Sequence, residues 1–176
     1  VQQTKRLQLV SVGNPSPTLL RELEEPLQTQ LGVTAVSSKV HLPSPTYAFN
    51  KDRGQYHSNA IMRRLAALIE PGNRFVLGVA DVDLFVPDSP FIFGEADREA
   101  KVAVVSIARL RQNAELDVLR RRTQVEVVHQ TGHLLGLSYC DDPRCVMFLA
   151  TGVTDCDRKG VQLCNVCRNE LLKLTR

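Results

Sequence analysis

The sequence predicts an α/β domain: a mixed, twisted sheet with helices packed on it, followed by a small irregular C-terminal part stapled by a metal. Three observations carry this. Strand and helix patterns follow one another as strand–helix–strand–helix–strand–strand–strand–helix, the order expected of a sheet covered by helices. The last of those helices carries His129 and His133 four residues apart and ends at Gly136. Beyond it regular periodicity fades just where four cysteines gather in two close pairs, Cys140 with Cys145 and Cys164 with Cys167.

Residues Leu7–Gly13, LQLVSVG, alternate apolar and polar side chains as a strand does. Asn14-Pro15-Ser16-Pro17 then turns the chain and can start a helix, with Ser16 as N-cap and Pro17 in the first helical position. Leu19, Leu20, Leu23, Leu27 and Leu31 mark the inner face of that helix. Gly32 ends it, and Pro26 inside the pattern should kink or split it. Val33–Val40 reads as a second strand, and His41–Gly54, rich in Pro, Ser and Asn, as a loop. The clearest amphipathic helix follows, with Ile61, Met62, Leu65, Leu68 and Ile69 on one face and Arg63 and Arg64 off it, until Pro71-Gly72-Asn73 stops it. Phe75–Ala80 is a buried-type strand, Phe91–Gly94 a short edge strand, and Lys101–Leu110 a strand with an unbroken apolar centre. Asn113 is the expected N-cap of the histidine-bearing helix, and Glu115 and Asp117 suit the positive end of its dipole. After Gly136 only a short helix near Asn169–Leu174 is expected.

At 176 residues the chain is long enough for one domain with a proper core, divided into an N-terminal part, 1–136, and a C-terminal part, 137–176. Its 43% hydrophobic and 23% charged residues are ordinary for a soluble globular protein. A net charge of +3 argues against a dedicated nucleic-acid binder, and Arg120-Arg121-Arg122 reads as a solvated helix face. No apolar run reaches membrane-spanning length, and the start, VQQTKRLQLV, lacks the basic-then-apolar plan of a signal peptide. With cysteines at metal-ligand spacing and no such signal, a reducing, cytoplasmic setting is expected.

The x4 and x2 spacings let each cysteine pair share one ion without backbone strain, and four thiolates bind zinc tetrahedrally. Cys140, Cys145, Cys164 and Cys167 are therefore expected to hold one structural zinc, while Cys156 reads as an unpaired thiol without a role. His129 and His133 share a helix face, so both imidazoles can close on a second, catalytic-type metal ion, as in the HExxH zinc helix. In the extended template, HExxHxxGxxH, a left-handed glycine turn swings a third histidine back toward that metal. This chain departs at two positions: Gln130 stands where the general-base Glu belongs, and Tyr139 where the third ligand belongs. An amide cannot accept the proton that Glu takes from metal-bound water. Tyr139 can ligate as a phenolate, or it can simply pack and hydrogen-bond; the other histidines, His41 and His57, lie far upstream. Glu126, one turn before His129, is read as paired with Arg122 or with solvent rather than as a substitute base.

After Tyr139 the chain continues Cys140-DDPR-Cys145-Val146-Met147 and later Cys164-Asn165-Val166-Cys167. In this the stretch Val125–Cys167 resembles the archaemetzincins, a zinc-metallopeptidase family. The family signature runs HExxHxxGxxH, Cys, four residues, Cys, one residue, Met and, after a spacer, CxxC. Asp81–Phe85 and Phe91–Asp97 look like the family upstream. The resemblance implies a metzincin-like fold with the zinc helix at the floor of a cleft and Met147 in a Met-turn beneath the metal. It also implies an edge strand, Phe91–Asp97, that pairs with extended substrate. The implied activity is zinc-dependent hydrolysis of peptide bonds in a peptide or protein, impaired or lost here because of Gln130 and Tyr139. Two alternatives accompany it: a pseudo-peptidase that binds extended peptides without cutting, and a zinc-knuckle interaction module. Asp81 and Asp83 are expected to form turns or cap helices.

Overall fold

Strands that read as unbroken apolar runs belong in the middle of a sheet covered on both faces, and that is where they lie. The structure, a computed structural model, describes residues 5–175. Strand β1 (Arg6–Val12) leads through helices α1 (Pro17–Arg21) and α2 (Glu24–Leu31) to β2 (Thr34–Ser37). A single 3-10 turn and a small hairpin, β3 (Phe49–Asn50) and β4 (Gln55–His57), precede α3 (Ser58–Ala66) and β5 (Phe75–Ala80). Then come β6 (Leu84–Phe85), β7 (Gly94–Asp97), β8 (Val102–Ser106), the long helix α4 (Leu116–Leu135), α5 (Val153–Arg158) and α6 (Asn165–Leu174).

The main sheet has the order β2-β1-β5-β8-β7. Four strands run parallel, and β7 lies antiparallel to β8 at one edge, with Gly94 opposite Val105 and Asp97 opposite Val102. Alternate side chains divide between two cores. Leu7, Leu9, Phe75, Leu77 and Val79 pack with α1, α2 and α4 on one face. Val10, Val12, Val76 and Ala80 pack with Ile61, Met62 and Leu65 of α3 on the other. A second, three-stranded sheet, β3-β4-β6, adjoins the cleft edge through a bridge between Leu84 and Ile92.

Several expectations shift. The helix split expected from Pro26 falls just before it, between Arg21 and Glu24, so the proline sits in the first turn of α2, where its missing N–H breaks no bond. The edge strand is Gly94–Asp97 rather than Phe91–Gly94: those four residues ladder with Val105–Val102 of β8, whereas before them the Phe93 carbonyl makes a lone bond to the Ser106 N–H. Asn113 does not cap α4. It takes a left-handed φ of 52° in the preceding turn, and Glu115 is the N-cap, without a side-chain cap bond. Arg122 is not a solvated residue: it is buried, pairs with Asp157 through two bonds of 2.8 and 2.9 Å, and donates to the Leu110 carbonyl at 3.0 Å. Helix α5 was not legible, and α6 begins four residues earlier than expected, with the Cys164 sulfur capping it by accepting from the Cys167 N–H. No helix among the described residues is long and apolar enough to cross a membrane.

Candidate functional site: a histidine pair in a cleft and a cysteine cluster behind it

From Arg122 to Leu135 only Gln124 and His133 of α4 escape full burial, so the helix is wedged between the sheet and the C-terminal part. Its end is a Schellman turn. Gly136, at φ 109°, donates to the His133 carbonyl, and Leu137 donates to the Gly132 carbonyl. Gly132, between the two histidines, leaves room for Met147: a Cβ there would stand 2.5 Å from the methionine sulfur. The fully buried Met147 thus lies directly against the helix between the two histidines.

The two imidazoles converge. His129 Nδ1–H donates to the Val146 carbonyl at 2.8 Å and His133 Nδ1–H to the Leu137 carbonyl at 2.9 Å. With both protons on Nδ1, both Nε2 lone pairs face each other, 3.2 Å apart. Two nitrogens bound tetrahedrally to one zinc would stand about 3.3 Å apart, so the pair fits a shared ion. Burial first, then the charge of Lys159 and the neighbouring His133, push the His129 pKa down to about 3. Burial likewise lowers that of His133, so both rings are neutral and ligand-competent at neutral pH. Tyr139 is 62% exposed and packs edge-on against His133, ring centroids 4.5 Å apart. Among the described residues no third His, Cys, Asp or Glu donor joins the pair.

This pair opens into a cavity of about 820 Å³ bounded by β7, the segment before it, α4 and residues 149–151. Gln130 lines it, only 6% exposed, and its side chain lies against Gly94, where a Cβ would come within 3.0 Å of Nε2. The residue at the general-base position is therefore inside the cleft, beside the edge strand. Asp83, of the upstream acidic pair, forms a two-bond ion pair with Arg109, whose guanidinium lies 3.9 Å over the Phe91 ring at the cavity rim. Asp81 instead accepts from the Asn14 N–H after β1, a turn-forming role as expected.

Behind the helix end, Cys140, Cys145, Cys164 and Cys167 bring their four sulfurs within 4.8 Å of one another, and Cys140 and Cys164 are 3.8 Å apart. Sulfurs at zinc-bond length on a tetrahedron stand about 3.8 Å apart. Backbone N–H groups of Asp142, Met147, Cys164 and Cys167 donate to these sulfurs, which stabilises thiolates; the Cys167 N–H lowers the pKa of Cys164. Burial raises that of Cys140 and Cys167 when no cation is near. A four-thiol cluster of this shape, two of its cysteines buried and two half-buried, fits a zinc ion.

Glu126 is paired differently from expectation. It is buried and bonds Lys159 at 3.1 Å, while the thiol of Cys156 donates to it at 3.3 Å. Burial and the Glu126 charge raise the Cys156 pKa, so that thiol stays protonated and serves as a donor. Lys159 escaped the sequence reading because nothing local distinguishes it. Glu126 carried a signal: three residues before His129, it had to share the inward face.

The sequence pattern of peptidase family M54 matches residues 21–173. The chain is 33% identical over 171 residues to the archaemetzincin of Methanocaldococcus jannaschii, covering 94% of this chain and 92% of that one. The chain belongs to the archaemetzincin family. Its fold is also that of the archaemetzincin crystal structure from Methanopyrus kandleri, with a TM-score of 0.87, 30% identity, and coverage of 98% and 96% of the two chains. A zinc-dependent peptidase from Methanocorpusculum labreanum superposes with a TM-score of 0.82 at 27% identity, over 94% of this chain and 99% of that one. Archaemetzincins are zinc-dependent metallopeptidases, and in this member the four cysteines are positioned to bind a metal ion.

Proposed function

We propose that this archaemetzincin grips extended peptides in the cleft along β7 but hydrolyses them poorly or not at all, with residues 137–176 held as one unit by a structural zinc on Cys140, Cys145, Cys164 and Cys167. The observation that carries the reading is Gln130, an amide buried in the cavity wall beside His129. A catalytic zinc, when bound, would polarise a scissile carbonyl and acidify a water. His129 and His133 would supply two of its donors through Nε2. Gln130 can orient a water by hydrogen bonding but cannot take its proton, which alone costs about 10²–10⁴ in rate. Tyr139, in place of a third imidazole, leaves the donor set short. Among the described residues no strand lies on the outer side of β7, so its backbone groups can pair with an extended peptide. Binding without cutting, the pseudo-peptidase reading, is the limit in which the residual rate is nil.

The test pairs the parent with Gln130→Glu/Tyr139→His. The parent is expected to hold one zinc per chain tightly and a second ion only weakly, to retain extended peptides, and to turn them over barely or not at all. The double variant should bind two zincs and hydrolyse peptides at least about 100-fold faster. Equal turnover by parent and variant, or a variant with no second zinc, would overturn the account of the defect. Failure of the parent to bind any peptide would overturn the gripping role.

A further inference from the structure

We infer that Lys159 is a positioning residue for His129: its buried ammonium fixes the Val146 carbonyl that holds the imidazole in its Nδ1–H tautomer, with Nε2 turned to its partner His133. The inference rests on the reading of His129 as a metal ligand. Lys159 is 0% exposed, at the residue that ends α5. An ammonium has three protons, and three acceptors from two other segments meet them. These are the Val146 carbonyl at 3.2 Å, the Phe148 carbonyl at 2.7 Å, and Glu126 Oε1 at 3.1 Å. The first two flank Met147, and the third is one turn before His129 on α4.

The Val146 carbonyl is shared. It accepts from Lys159 and, at 2.8 Å, from His129 Nδ1–H. Lys159 Nζ itself lies 3.4 Å from His129 Nδ1. The imidazole proton therefore has one fixed acceptor, and that acceptor is pinned by a residue from beyond the Met147 turn. If the carbonyl were free to rotate away, a neutral His129 could carry its proton on Nε2 and lose the lone pair that faces His133. Glu126 neutralises the ammonium, which lets a charge sit where water does not reach. A residue needed only to fill this volume would be apolar. What the lysine adds is direction, a donor that ties the Met147 segment to the histidine helix.

The experiment separates positioning from stability by removing both charges together. Glu126→Gln/Lys159→Met keeps the volume and leaves no orphaned ion; Glu126→Gln/Lys159→Gln serves if the first pair of changes fails to fold. In zinc-loaded full-length protein, ¹⁵N NMR of the histidine rings reads the tautomer directly. The parent should show His129 protonated on Nδ1 alone, and the double variants should show a mixture, with a folded spectrum elsewhere. Cobalt added beyond the one equivalent held by the cysteines should bind the histidine pair 10–100-fold more weakly in the variants, the usual cost of a lost outer partner. A variant whose His129 stays wholly on Nδ1 would overturn the inference and leave Lys159 as one half of a structural ion pair. If the parent takes no second cobalt, the ligand reading of His129 fails, and the tautomer still decides the role of Lys159.

Discussion

The cysteine cluster gathers four donor atoms in one place, and the histidine pair gathers two. Four sulfurs close a shell from which nothing is missing, whereas two nitrogens face a position where the family template has an imidazole and this chain has Tyr139. The difference follows from what each site does for the fold. Residues 137–175 contribute few large buried side chains of their own, so each sulfur lost would leave that part without its staple. Gln130 has nearly the shape of Glu and packs against Gly94 as Glu would, and Tyr139 sits at an exposed rim. Both departures thus spare the packing, and on the proposed reading their cost falls on the chemistry.

The harshest way to break this comparison is to remove the metal from the complete site. Zinc bound by short cysteine-containing peptides is worth about 10–16 kcal/mol, so Cys164→Ser or strong chelation should unfold residues 137–175. Hydrogen exchange would report this as loss of protection there with β1, β5 and β8 still protected. His129→Ala, by contrast, should leave the zinc count at one and the exchange pattern nearly unchanged. If both changes unfold the C-terminal part alike, the two sites are one structural unit and the contrast fails.

Next in size is the ion pair that joins them. Lys159 and Glu126 are 0% and 3% exposed, so Lys159→Met alone strands a carboxylate in the interior and should cost about 3–5 kcal/mol in urea unfolding. Glu126→Gln/Lys159→Met should recover most of that. A single variant as stable as the parent would mean that water reaches Glu126.

The incomplete site can be sharpened by reverting its departures one at a time. Tyr139→His should bring a second zinc per chain with little turnover, and Gln130→Glu should leave the zinc count unchanged while lowering the stability, because the new carboxylate is buried. Only the two together restore donors and base, so their effects on turnover should be strongly non-additive. Additive effects would show that each residue acts without the other.

What the sequence disclosed and withheld divides along physical lines. The helix face with His129 and His133, the turn at Gly136 and the cysteine cluster were legible because short-range spacing sets their geometry. The buried strands were legible as apolar runs. The true extent of the edge strand was not, since pairing of Gly94–Asp97 with β8 is decided by the partner strand and not by β7's own residues. Asn113 misled because the start of α4 depends on how the preceding turn uses a left-handed residue. Lys159 was invisible because a buried lysine is defined by acceptors far along the chain, at Val146, Phe148 and Glu126. The arginine run misled in the same way, as Asp157 lies 35 residues from Arg122.

That last pair allows the finest test, because it anchors α5, and with it Lys159, to the histidine helix. The Arg122 guanidinium holds the Asp157 carboxyl below its ordinary range. A carboxylate whose folded pKa is depressed adds stability above its unfolded value, near 3.9, and loses it as pH falls through the folded value. Asp157 is 36% exposed, so solvent screens the pair and its worth is a few tenths of a kcal/mol. Asp157→Asn should therefore lower stability slightly at pH 7, and the gap between parent and variant should close below about pH 4. A gap that persists unchanged in acid would show that Asp157 acts through shape and not charge. Because Lys159 keeps its three acceptors in this variant, the His129 tautomer should not move. If it did, the anchoring of α5, and not the lysine's own bonds, would be what orients the imidazole.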